Sequence, residues 1–214
     1  MKTPGLVLVA IFVVTLLSAC SADAMTDSSE SESRQPSSSS TNTSSKPSTH
    51  LPSENDTKYE PASASGPAKN VPVPKIPDAA KKKTEDGAAA FGEYYFDLIN
   101  FALETNDSAP LKSYTLRECY VCATAVIDPT DKAKSSGKWQ VGGRHHVKVF
   151  DSYMPDKKTA IVSARFEIDP ATFYLEPNTP YSKKEKRPSQ VAALGMEFSD
   201  GWQIYMIDIE DHES

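Results

Sequence analysis

The chain has 214 residues, 38% of them hydrophobic, with 23 basic against 29 acidic side chains and a formal charge of −6. Of the 56 residues 21–76, 27 are Ser, Thr or Pro, whereas 17 of the 19 aromatic residues lie beyond residue 76, so one globular domain of about 138 residues is expected and a large multidomain enzyme is excluded. No stretch of about 20 apolar residues exists, which excludes a polytopic helical membrane protein; residues 77–214 carry 17 basic and 22 acidic side chains, which repel phosphate and exclude an ordinary nucleic-acid binder.

The N-terminus reads as an export signal. Lys2 supplies a positive charge, residues 6–17 form a twelve-residue apolar run, and the small Ser18 and Ala19 follow, the layout of a secretory leader. Twelve residues are too few to cross a bilayer. The next step rests on a resemblance. Leu17-Ser18-Ala19-Cys20 resembles the bacterial lipobox, in which small side chains admit the peptidase and a thiol accepts the diacylglyceryl group. It implies a lipoprotein signal peptide over residues 1–19, a Cys20 lipidated with palmitate-type chains, and the membrane as partner through that anchor; an ordinary signal peptide ending in Cys is the alternative. Two acyl chains, at about 0.8 kcal/mol per buried methylene, suffice for stable anchoring. The expected location is extracytoplasmic, on the outer face of the cell membrane.

Residues 20–76 are expected to be the lipidated Cys and a disordered tether. Ser28, Ser29, Ser31, Ser33 and then Ser37, Ser38, Ser39 and Ser40 offer too little apolar surface to offset backbone ordering. Such a coil spans roughly 40 Å, and Val71-Pro72-Val73-Pro74-Lys75-Ile76-Pro77 stiffens towards polyproline II. A plain spacer is favoured over a recognition ligand or an O-glycosylated tract, and the sequons at Asn42 and Asn55 carry no weight in a bacterial lipoprotein.

From residue 77 to 214 a single α+β domain is expected. Thr84 with Glu85 and Asp86 caps a helix whose Ala88, Phe91, Tyr95, Leu98 and Ala102 recur at helical spacing to about Thr105. Pro110 suits the first turn of a short helix through Tyr114, and a third helix is predicted over 117–127, before Pro129. Four strands follow, over 141–153, 159–168, 191–198 and 202–209, the last two joined by Ser199-Asp200-Gly201 with Gly where a positive φ is needed. Residues 170–190, with four prolines and the basic run Lys183, Lys184, Lys186 and Arg187, read as a long exposed loop. Helices followed by a four-stranded antiparallel sheet give an α+β architecture.

This order of a long helix, two shorter ones and a meander ending in Phe198-Ser199-Asp200-Gly201-Trp202 resembles the nuclear-transport-factor-2-like (cystatin-like) cone, a curved sheet around its first helix. The lipobox, the Ser/Pro tether, Gly87-Ala88-Ala89-Ala90-Phe91 with Tyr94 and Tyr95, and Cys119-Tyr120-Val121-Cys122 are together similar to a family of uncharacterised actinobacterial lipoproteins, a domain of unknown function, over nearly the whole chain. That resemblance implies fold, source and anchoring but supplies no chemistry, because the cone serves isomerases, dehydratases, hydrolases and pure binding domains alike.

Cys119 and Cys122 form the one constellation with chemistry in it. At a helix start their Cα atoms fall near 5 Å, within reach of a disulfide, and outside the membrane oxidation is the default. A structural disulfide is the favoured reading; a redox pair and half of a zinc site are the alternatives. A redox pair belongs just after a strand and at the opening of a βαβ helix, with a stabilised thiolate, whereas here helices precede it and Glu118 disfavours the thiolate. Zinc needs two more ligands, and the neighbours His145 and His146 point to opposite faces of a strand.

Other residues invite sharper readings and blander ones. Arg144, His146 and Lys148 share a face that is solvated unless it holds an anion, and His145, in line with Val147 and Val149, reads as a satisfied, half-buried histidine. The run from Lys183 to Arg187 reads as a solvated loop, with contact to anionic lipid as the alternative; Trp202 and Phe91 read as core. Tyr95, Asp128 and Asp208 are singled out by no spacing, so no catalytic residue, cofactor or metal ligand is assigned. The expected function is a non-catalytic module binding a cell-envelope protein or a small hydrophobic ligand. The alternatives are an extracytoplasmic acid/base enzyme, which needs a carboxylate or His perturbed by burial in an apolar cavity, and a CxxC thiol-disulfide protein.

Overall fold

The computed structural model describes residues 58–210, all within the compact unit Pro52–Ser214. The expected signal peptide, the expected lipidation site Cys20 and the expected tether up to residue 57 lie outside the described residues.

The first helix, α1 (Glu85–Thr105), starts where the sequence marks it. Thr84 accepts a hydrogen bond from the Gly87 N–H at 3.0 Å, satisfying a donor the first turn leaves free, and Asn106 ends the helix at φ 56°. Only a narrow stripe carrying Asp86, Glu93 and Asp97 is exposed. Phe91, Tyr95 and Leu98 are fully buried, against Val162, Leu194, Met196 and Ile204 of the sheet in the same hydrophobic core. Trp202 closes one end of that core, its indole N–H donating to the Lys82 carbonyl at 3.0 Å.

Short helices follow: α2 (Ala109–Lys112), α3 (Tyr120–Cys122) and α4 (Asp128–Ser135), the last two joined by a π-helical turn over Ala123–Ile127. The helical path therefore runs through Pro129 instead of ending before it. Pro129 stands at the start of α4, directly after the π-helical turn, where the bonding pattern changes.

The rest of the domain corrects the expected architecture. Instead of helices on one four-stranded cone-like sheet, the domain is mostly β, with seven strands in two antiparallel sheets and its helices mainly on the N-terminal side: β1 (Trp139–Gly142), β2 (His145–Tyr153), β3 (Thr159–Ile168), β4 (Ala171–Glu176), β5 (Thr179–Lys184), β6 (Arg187–Phe198) and β7 (Trp202–Glu210). One sheet has the order β2-β3-β6-β7 and the other β1-β4-β5.

Two causes separate this from the four strands expected. The predicted strand 141–153 is cut by Gly142 and Gly143 at φ 81° and 79°, a backbone region only glycine enters freely; β1 then pairs with β4, and β2 with β3. The segment 170–190, expected as a loop, folds as β4, β5 and the start of β6, with Asn178 at φ 60° between the paired Glu176 and Thr179. Every β5 side chain is exposed, so no alternation betrays the strand, and Pro180 is tolerated because β5 is an edge strand. Gly201 does not adopt the positive φ expected of it.

Residues 58–76, expected as tether, are also held by the domain. Glu60 bridges Lys69 and Ser63 bridges Gly66 as a small arm. The Trp139 indole N–H donates to the Ser63 carbonyl at 2.8 Å, the Asn178 N–H to the Ala64 carbonyl at 2.7 Å, and Ile76 packs on the core. Backbone pairing holds this arm, and composition carries no trace of that.

Candidate functional site

A cavity of about 460 Å³ opens between α1, the helical stretch 121–129, the inner face of the β2-β3-β6-β7 sheet and the smaller sheet. Phe96, Ile99 and Leu103 line it from α1, Val121 and Val126 from the helical stretch, and Phe166, Ile168, Ile207 and Ile209 from the sheet. The volume is within the range of small-molecule sites, and so is the predominance of apolar side chains.

Its polar groups come from distant parts of the chain. His145 begins β2 and is fixed by Asn100 of α1, whose Nδ2 donates to the His145 carbonyl at 2.9 Å while its Oδ1 accepts from the His145 N–H at 2.8 Å. A buried helix side chain thus stands in for a neighbouring strand. The imidazole stacks on Phe166 with ring centroids 5.9 Å apart and leans on Phe96 at 6.2 Å. Burial pushes its pKa down to about 4, with the Gly143 carbonyl opposing, and its buried Nδ1 has no hydrogen-bond partner. His145 is therefore half-buried, as expected, but not satisfied. Gln190 of β6 lines the same cavity and buries an Oε1 without a partner.

The cavity also gathers residues that the sequence scatters. Lys184, Glu185 and Arg187 stand at its edge with Asp169. Of the basic run, Lys186 pairs with Glu167 at 2.7 Å and Lys184 lies 5.4 Å over the Phe173 ring. Arg144, His146 and Lys148 are exposed, and His146 meets Asp169 at 2.8 Å. Tyr95 lines the cavity with its hydroxyl bonded to Thr115 at 2.7 Å, and burial raises its pKa to about 12. Asp128 and Asp208 are exposed and stand outside the cavity lining.

Cys119 and Cys122 are both buried, with Cα atoms 5.2 Å apart and sulfurs at disulfide distance. Cys119 also caps α3, its Sγ accepting from the Cys122 N–H at 3.3 Å. Cys122 reaches the cavity wall. Among the described residues no cluster of three or more His, Cys, Asp or Glu side chains could hold a metal ion.

Asn100, Phe96 and Gln190 were not marked by the sequence. A polar Asn on the buried side of an amphipathic helix is the one signal that could have pointed to Asn100.

Residues 57–207 match the family of unknown function DUF6318. The chain belongs to that family. No curated protein matches it. Among solved structures it is similar to the intermembrane space region of the chloroplast protein ARC6, with 14% identity and a TM-score of 0.43 over 60% of this chain and 97% of that one. A periplasmic fragment of TraM is similar at 11% identity and a TM-score of 0.38, over 60% of this chain and 98% of that one.

Proposed function

We propose that this DUF6318 member is an exported actinobacterial lipoprotein, anchored through Cys20 on the outer face of the cell membrane, whose domain is a non-catalytic module that binds a small hydrophobic ligand. The observation carrying the reading is the apolar cavity of about 460 Å³, with uncharged polar side chains at its wall. The Ser/Pro-rich residues ahead of the domain serve as spacer, and Cys119 and Cys122 as a structural disulfide bracing the cavity wall.

His145 meets one requirement of an acid/base enzyme, a titratable group perturbed by burial in the cavity. Its chemistry argues the other way. A general base works best with a pKa near the operating pH, and His145, held at about 4, with no carboxylate hydrogen-bonded to its ring, is a weak proton acceptor.

The reading is tested on purified full-length protein with the uncharged dye N-phenyl-1-naphthylamine. Saturable binding of one dye per chain is expected. It should be lost in Ala125→Trp, which fills the cavity from an exposed position on its helical wall. Absence of binding, or binding unaffected by the substitution, overturns it. Membrane attachment lost on Cys20→Ser tests the anchor.

A further inference from the structure

The cavity has a chemical bias in the distribution of its polar groups. Its interior carries hydrogen-bonding capacity without charge. His145 on β2 and Gln190 on β6 flank Phe166 on the strand between them, since His145 pairs with Ile168 and Phe166 with Gln190. The main-chain groups of His145 are occupied by Asn100, so only its ring is available, and among the described residues His145 Nδ1 and Gln190 Oε1 are buried without a hydrogen-bond partner. A neutral imidazole and a carboxamide each offer both a donor and an acceptor, the complement of a hydroxyl or a carbonyl. The Tyr95 hydroxyl is engaged by Thr115.

Charge is confined to the edge and balanced there. Lys184 and Arg187 stand with Asp169 and Glu185, two cations with two carboxylates, so the edge draws in neither sign. An ionised head group carried past it would lose its hydration among Phe96, Phe166 and Ile207 without meeting a countercharge, which is strongly unfavourable.

We propose that the cavity selects an uncharged amphiphile, an apolar body bearing one hydroxyl- or carbonyl-type group that His145 and Gln190 recognise. This rests on the reading of the cavity as a ligand site and adds the chemistry of the ligand.

The test uses the full chain at pH 7.5 with 1-decanol, decanoate and decylamine displacing bound N-phenyl-1-naphthylamine. Decanol is expected to displace the dye at a concentration at least tenfold below the other two. Because decanol also leaves water more readily than the ions do, the deciding readout is how the ratio changes on substitution. Gln190→Leu and His145→Phe should each weaken decanol about 5- to 20-fold relative to the dye, the loss of a hydrogen bond, with the dye affinity of each variant titrated directly and an unchanged thermal midpoint reporting an intact fold. The proposal is overturned if decanoate or decylamine competes as well as decanol, if none of the three displaces bound dye, or if decanol's advantage survives both substitutions. Failure of the dye itself to bind would instead remove the ligand-site reading beneath it.

Discussion

The two sheets use the same antiparallel pairing but are stabilised differently. In β2-β3-β6-β7 the inward residues of β3 and β6 are fully buried, Val162, Ala164 and Leu194 among them, against α1. In β1-β4-β5 only Trp139, Ala171 and Tyr174 are buried, with Trp139 and Tyr174 stacked at 5.4 Å, and β5 is exposed throughout. The larger sheet thus owes its stability to burial, and the smaller one to backbone hydrogen bonds and the arm at 58–70. The cavity lies where they meet, so the stable layer fixes its floor while the lightly packed layer supplies part of its edge.

The sharpest way to break this contrast is to empty the core of the larger sheet. Phe91→Ala, at a fully buried ring packed near Tyr95 and Tyr114, should destabilise the domain by about 3–5 kcal/mol, read as a lowered urea midpoint at unchanged slope. A loss under 1 kcal/mol would mean that the helix–sheet core is not what holds the fold.

Acid is the next probe. The unfolded chain has an ordinary histidine pKa near 6.5 and the folded His145 one of about 4, so between these values the unfolded state binds a proton that the folded state refuses. The contribution is fully present above about pH 6.5 and is lost as pH falls towards 4, by up to about 3 kcal/mol. His145→Phe should flatten that part of the stability–pH curve, and equal slopes for the two proteins would refute the assignment.

Replacing both Cys119 and Cys122 by Ser should cost about 2 kcal/mol, the chain-entropy value for so short a ring. Thiol titration of the denatured, unreduced parent should find neither thiol; two per chain is the contrary result. The smallest effect is expected in the lesser sheet. Tyr181→Ser, at a half-exposed side chain of β5, should change stability by about 0.5 kcal/mol or less. A much larger loss would erase the difference between the layers.

Legibility in the sequence follows the same division. The α1 helix could be read because its core positions recur at helical spacing after the Thr84 cap, and β3 because Val162, Ala164 and Phe166 alternate with more exposed neighbours. The smaller sheet could not, since β5 shows no alternation and the corner at Gly142 and Gly143 sits inside what looks like one continuous strand. The site was legible only in pieces. His145 stood out as a titratable group on an apolar face, whereas Gln190 lay at the end of a supposed loop and Asn100 within a helix.

The sequence by itself determined the acidic charge balance, the one long helix and the hairpin of β6 and β7, because each is written in local composition or side-chain period. The tertiary structure alone decided that there are two sheets, that residues 58–76 belong to the domain, and that His145, Gln190 and Arg187 share one cavity. The physical reason is that backbone hydrogen bonds between distant strands are indifferent to side-chain pattern, so pairing that brings positions 35 residues apart together, as Trp139 and Tyr174 are, leaves no period in the sequence to be read.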